Sequence, residues 1–111
     1  MQWWTHLWLN EGFARYMEHI AVDTFYPEYE IWKQFVFEVY RSALQLDSLK
    51  SSHAIEVEVS HPSEINEIFD SISYAKGASI IRMIATFIGE AAFRQGLNQY
   101  LASHLYGNVR E

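Results

Sequence analysis

Apolar residues recur at helical spacing along most of this chain, and only a few punctuating residues divide them. Leu9, Phe13, Tyr16, Met17 and Ile20 stand at offsets 0, 4, 7, 8 and 11, one face of an amphipathic helix. That pattern predicts a first helix over 9–23, with Asn10 assisting its start and Glu11, Arg15 and Glu18 on another face. Pro27 ends the connection, and a second helix over 28–46 carries Trp32, Phe35, Val36, Val39, Tyr40 and Ala43 on one stripe. A third, over 73–88, has Ile81, Ile84, Ala85 and Ile88, with Gly77 inside it where backbones approach closely. Gly89 breaks that helix, and a last one over 90–105 buries Phe93, Leu97, Tyr100 and Leu101.

Between 47 and 63 the period changes. Ser51-Ser52-His53 reads as loop, and Ile55-Glu56-Val57-Glu58-Val59 alternates like a short, half-exposed strand. Pro62 stops it, since proline lacks a donor and restricts the residue before it. Ser63 is the expected N-cap of a short helix through Ile68, with Asn66 and Glu67 outward. The fold class is therefore mainly α with one short extended segment. There is no internal repeat, low-complexity tract or linker.

A chain of 111 residues makes at most one small domain. Half of it is hydrophobic and 16% aromatic, a surplus that reads as faces meant to pack on something else. A core missing one wall leaves apolar stripes wet, so poor packing is expected of the chain alone. The net charge of −6 argues against nucleic acid, which rewards basic patches. Acidic rather than basic helix faces argue against a membrane-surface peptide. No cysteine is present, so disulfides and thiolate metal sites are excluded, which is compatible with a reducing, cytoplasmic setting. The start lacks the regions of a signal peptide. The most apolar window, Ala78 to Ile88, is interrupted by Arg82 and is too short to span a bilayer.

Chemistry concentrates in Trp3-Trp4-Thr5-His6-Leu7-Trp8-Leu9-Asn10-Glu11-Gly12-Phe13-Ala14, where a carboxylate sits inside an aromatic run. An unpaired charge there is costly, so Glu11 either turns to solvent or is held by a cation. From the residues alone, Glu11 reads as a surface glutamate paired with Arg15, worth about 0.2–0.5 kcal/mol. Tyr74 reads as one core aromatic among seven tyrosines.

The run from Trp4 to Ala14, with Ile72-Ser73-Tyr74-Ala75-Lys76-Gly77-Ala78-Ser79 downstream, resembles the zinc aminopeptidases, the gluzincin family of membrane alanyl and puromycin-sensitive enzymes. The similarity runs over nearly all of the chain and is closest to the puromycin-sensitive branch. It implies the helical portion of a thermolysin-like zinc metallopeptidase catalytic domain, acting on peptides as substrates. In such enzymes a His-Glu-x-x-His helix gives two zinc ligands and a general base. The third ligand is the glutamate of Asn-Glu-Gly-Phe-Ala, here Glu11. A hard anionic oxygen on a rigid helix suits that role, and three protein ligands leave a metal position open for water. The tyrosine of Ile-Ser-Tyr-x-Lys-Gly, here Tyr74, donates a hydrogen bond to the oxyanion formed when water adds to the carbonyl. Phe69 is implied to line the substrate cleft, although a plain core role fits it as well. Lys76 is expected to be a solvated lysine.

The five histidines supply no further ligands. His6, His19, His53, His61 and His104 include no pair at i,i+4, and all five read as loop or surface groups. On the resemblance, residues 1–111 are a partial peptidase domain, from the third-ligand helix to the helices after the tyrosine. The His-Glu-x-x-His and Gly-x-Met-Glu-Asn blocks and the C-terminal helical domain are absent. Met1 falls where related enzymes have an internal methionine, and Asn108-Val109-Arg110-Glu111 departs from their usual continuation. The isolated chain is expected to be inactive and to hold no zinc by itself. Its partner would be the remainder of the peptidase domain, and a membrane-anchored parent fits the family as well as a cytoplasmic one. The competing reading is a non-catalytic helical interaction module or truncated relic, packing on a partner through its apolar faces.

Overall fold

A computed structural model describes residues 4–108. Trp3 of the aromatic run, Met1, and the departing residues Val109, Arg110 and Glu111 lie outside the described residues. Four main helices carry the fold. A 3₁₀ turn at Trp4–His6 leads into α1, Leu7–Phe25, two residues longer at each end than its apolar stripe predicts. Asn10 does not cap it. His6 stands at the N-cap, and the Asn10 amide reaches Glu11 Oε1 at 3.3 Å.

Proline at the first position makes Pro27–Tyr29 a 3₁₀ turn, and Glu30 reverses the chain at a left-handed φ of 47°. The second helix, α2, spans 31–47 as α-helix at Ile31–Gln34, a π stretch at Phe35–Tyr40 and α-helix at Arg41–Asp47. The π stretch explains why only part of the expected stripe is inside. Its i→i+5 bonding widens the turn, so Phe35, Val39 and Ala43 line up and bury, while Val36 and Tyr40 rotate outward.

The alternation at 55–59 survives as burial without a strand: Ile55, Val57 and Val59 are half-buried, and Glu56 and Glu58 are exposed. Among the described residues no strand offers a ladder, so the segment lies along the protein as irregular chain with Ile55 and Val57 near Trp8 and Ile68. The 3₁₀ helix Pro62–Ile68 is capped by His61 rather than Ser63. The His61 ring accepts from Ser63 N–H, and Glu64 Oε2 accepts from His61 N–H at 3.2 Å, a reciprocal capping box.

A second π stretch, Ile72–Lys76, runs directly into the α-helix Gly77–Ile88, and together they form α3 over 72–88. Gly89, with φ 89°, ends it, and α4 follows at Glu90–Ser103. The core lies between α1, α2 and α3, built from Tyr16, Phe35, Val39, Ala43, Ala75, Ala78, Ile81 and Ala85. Of the stripe expected on α3, Ile81 and Ala85 are buried, whereas Ile84 and Ile88 lie open. On α4 no residue is fully buried. Phe93 anchors it by stacking on Phe13, with centroids 6.2 Å apart, and meeting Tyr16 edge-on at 5.9 Å.

His19 corrects the expectation that all histidines are loop or surface groups. It is 6% exposed, packed between Trp32 and Phe35, and its Nδ1–H donates to the Arg15 carbonyl at 2.7 Å. That bond satisfies one polar edge inside an aromatic cluster. Several large apolar groups stay on the outside, Phe87 at 90% exposure and also Phe25, Phe37 and Met83. Such a surface is more than a small domain ordinarily shows.

Candidate active site

Helices α1 and α3 touch through their glycines. A Cβ on Gly12 would lie 2.8 Å from the Gly77 carbonyl carbon, and one on Gly77 would lie 3.1 Å from the Trp8 carbonyl oxygen. Only residues without side chains permit this approach. It places the residue before Gly12 beside the residue three before Gly77, which are Glu11 and Tyr74.

Glu11 is half-buried. Arg15 pairs with Glu18 instead, Nη1 to Oε1 at 2.7 Å, so the surface pairing read from spacing alone goes to a different glutamate. The Glu11 carboxylate acts on the Tyr74 phenol. Burial first, then hydrogen bonding to Glu11 and its negative charge, raise the phenol's pKa above the ordinary tyrosine value. Tyr74 is thus held as a protonated donor facing a carboxylate.

Phe69 is 43% exposed, tilted toward Tyr74 with centroids 6.4 Å apart and meeting Trp4 edge-on at 6.2 Å. A cleft beside Tyr74 is lined by Arg15, Glu38, Ser42, Phe69 and Asp70. The three residues singled out from sequence therefore fall into one neighbourhood: Glu11 against Tyr74, and Phe69 against Tyr74. Lys76 is not solvated as expected. Its Nζ donates to Asp47 Oδ1 at 2.8 Å, tying the end of α2 to α3, and this pair holds the Asp47 carboxyl below the usual range.

Two polar residues in this neighbourhood escape the sequence reading. Asp70 Oδ1 accepts from the N–H groups of Ile72 at 2.8 Å and Ser73 at 3.2 Å, and Oδ2 meets His53 Nε2 at 2.7 Å. An aspartate just before a helix is a start signal that a start placed at Ser73 overlooks. No local pattern announces His53, because its partner is seventeen residues away.

Among the described residues no group of three or more His, Asp or Glu side chains converges. The Glu11 carboxylate is one hard oxygen donor at this place, and a catalytic zinc needs three protein ligands, so the described residues hold fewer donors than such a site requires. Among the described residues no helix is long and apolar enough to cross a membrane.

Comparison with known proteins shows the family. The profile described as the peptidase family M1 domain matches residues 1–111. The chain is 56% identical over 110 residues to "Aminopeptidase M1-D" of Oryza sativa subsp. japonica. It is 52% identical to "Aminopeptidase M1" of Arabidopsis thaliana and 52% identical to "Aminopeptidase 2, mitochondrial" of Saccharomyces cerevisiae. Each match takes in 99% of this chain and 12% of the relative. A mainly helical segment that sets a glutamate against a tyrosine is thus part of a peptidase domain. The chain belongs to peptidase family M1.

Proposed function

We propose that this chain is the part of a zinc aminopeptidase that supplies one metal ligand and the oxyanion donor, for removing N-terminal residues from peptides. The juxtaposition of Glu11 and Tyr74 across the Gly12–Gly77 contact carries this reading. Glu11 would hold the zinc through a carboxylate oxygen, with two further ligands outside these residues. When bound, the zinc polarises the peptide carbonyl and activates water. Tyr74 keeps its proton and can donate to the carbonyl oxygen as negative charge develops there. Phe69, half-open and beside Tyr74, offers an apolar wall to the substrate.

With one ligand of three, the chain alone is inactive and depends on the remainder of its domain. Peptides are the substrate class that the relatives' names indicate. A cytoplasmic setting is compatible with the absence of cysteine, while one yeast relative carries "mitochondrial" in its name.

The experiment is zinc content and turnover of two variants in the complete protein containing this chain. Glu11→Ala should lose its zinc. Tyr74→Phe should keep zinc and lower kcat by about 10²–10³, the range for removing one oxyanion donor. Full zinc stoichiometry in Glu11→Ala would defeat the ligand assignment.

A further inference from the structure

Tyr74 lies on a π stretch, an uncommon conformation that needs outside support to hold its register. Its support is visible. Asp70 stands four residues before Tyr74, and one carboxylate oxygen takes the N–H groups of Ile72 and Ser73. The Asp70 carbonyl takes the N–H of Tyr74 itself at 3.1 Å, and Ser73 Oγ donates to the Ile68 carbonyl. The first turn is therefore fixed by Asp70 with both its main chain and its side chain.

The other Asp70 oxygen is fixed in turn. His53 Nε2 lies 2.7 Å from Oδ2, while His53 Nδ1 lies 2.6 Å from the Ala54 carbonyl oxygen, which can only accept. Both ring nitrogens face acceptors, an arrangement that a doubly protonated ring satisfies by donating at each. A charge-assisted pair of this kind is stronger and more directional than a neutral one. Only about a quarter of each side chain is exposed. On the far side of Tyr74, the Lys76–Asp47 pair adds a second tie, and Ser52 Oγ donates to the same Asp47 oxygen at 3.2 Å. The connection after α2 is thereby strapped to the front of α3 on both sides of the tyrosine.

We propose that Asp70, oriented by its contact with the His53 ring, is a positioning residue for the aminopeptidase reaction. It sets the register of the π turn so that the Tyr74 hydroxyl stands at the reacting carbonyl. This rests on the role assigned to Tyr74 above. Neither Asp70 nor His53 touches substrate or metal in this scheme. Both act through the backbone of 72–74.

The test uses the complete zinc-loaded enzyme with Asp70→Ala, Asp70→Asn, His53→Gln, Tyr74→Phe and the double variant Asp70→Ala/Tyr74→Phe. Asp70→Ala should lower kcat between about ten- and a hundredfold, the scale of a small misplacement, with KM and zinc content unchanged. Asp70→Asn keeps an oxygen for the two N–H groups and should recover most of kcat. His53→Gln should fall between them. In the Tyr74→Phe background, Asp70→Ala should cost almost nothing further, because the group it positions is gone. A full, additive loss in that background would show a merely structural cap and overturn the proposal, as would wild-type kcat in Asp70→Ala. Should Asp70→Ala fail to accumulate, His53→Gln takes its place in the same cycle. A Tyr74→Phe enzyme with undiminished kcat would instead sink the assignment of Tyr74, a separable result.

Discussion

Gly12 and Gly77 meet backbone to backbone, with the room for a Cβ on Gly12 closed by the Gly77 carbonyl carbon at 2.8 Å. This crossing brings Glu11 and Tyr74 together from points 63 residues apart in the chain (74 − 11). The site is thus held by two residues that carry no functional group.

Gly12→Ala should destabilise the complete protein by about 1–3 kcal/mol, the range for forcing extra volume into packed structure. Gly77→Ala meets the Trp8 carbonyl at 3.1 Å and Gly12 Cα at 3.2 Å, a milder conflict. Helix propensity offsets part of it, since alanine is about 1 kcal/mol better than glycine within a helix. The expected order of thermal midpoints is wild type, Gly77→Ala, then Gly12→Ala. Equal midpoints for Gly12→Ala and wild type would mean the helices can move apart freely.

Zinc uptake should depend on residues beyond this chain. Titrating zinc into the isolated chain should show no tight binding by calorimetry, since the described residues offer one carboxylate at the site. Restoring the family's upstream His-Glu-x-x-His segment should bring one tightly bound ion per molecule. Tight stoichiometric binding to the isolated chain would point to a ligand set other than the one built around Glu11.

The sequence exposed the helices well, because stripes at 3.6 spacing must bury somewhere. It exposed their inner faces less well. The π stretch at Phe35–Tyr40 moves Val36 and Tyr40 out of the core, a change of turn width that a count at helical period cannot register. His19 sits in the core because Trp32 and Phe35 surround it, and both belong to another helix. Val57 and its neighbours alternate correctly, but a strand needs a partner and the described residues provide none. Glu11, Tyr74 and Phe69, the residues that the motifs single out, do lie together in the structure. Asp70 and His53 were not legible in the sequence, since their meaning lies in a contact made only after folding.

Arg82 packs over two rings, its guanidinium carbon 4.6 Å from the Trp32 centroid and 5.0 Å from that of Phe35. This half-buried cation–π contact joins α3 to α2. Arg82→Met keeps the apolar stem and removes the charge, so the loss should be about 0.5–2 kcal/mol. Arg82→Lys should recover a part of it, because lysine retains charge without the planar stack. Chemical denaturation of the complete protein reads the difference, and indistinguishable curves for wild type and Arg82→Met would remove the contact from the account.

The exposed rings of Phe25, Phe37 and Phe87 should make the isolated chain bind a hydrophobic dye and associate at high concentration. Phe87→Ser should reduce both, with stability changed by no more than about 0.5 kcal/mol, as for surface positions in general. Strong dye binding that persists unchanged in a triple Phe25→Ser/Phe37→Ser/Phe87→Ser variant would locate the sticky surface elsewhere.

The His53–Asp70 pair predicts a pH signature with a definite sign. Burial works to lower the His53 pKa, but the Ala54 carbonyl and the hydrogen bond and charge of Asp70 outweigh it, with Lys76 opposing weakly, and the pKa stands above its ordinary 6.5. A group whose folded pKa is raised binds protons more tightly when folded. Its stabilisation is complete below the unfolded pKa and fades as pH climbs through the higher, folded one. The midpoint difference between wild type and His53→Gln should therefore be largest near about pH 6 and shrink on the alkaline side. Proton NMR of the His53 ring should show its titration displaced upward, and the displacement should disappear in Asp70→Asn. A midpoint difference that grows with rising pH would mean the ring is neutral in the folded protein.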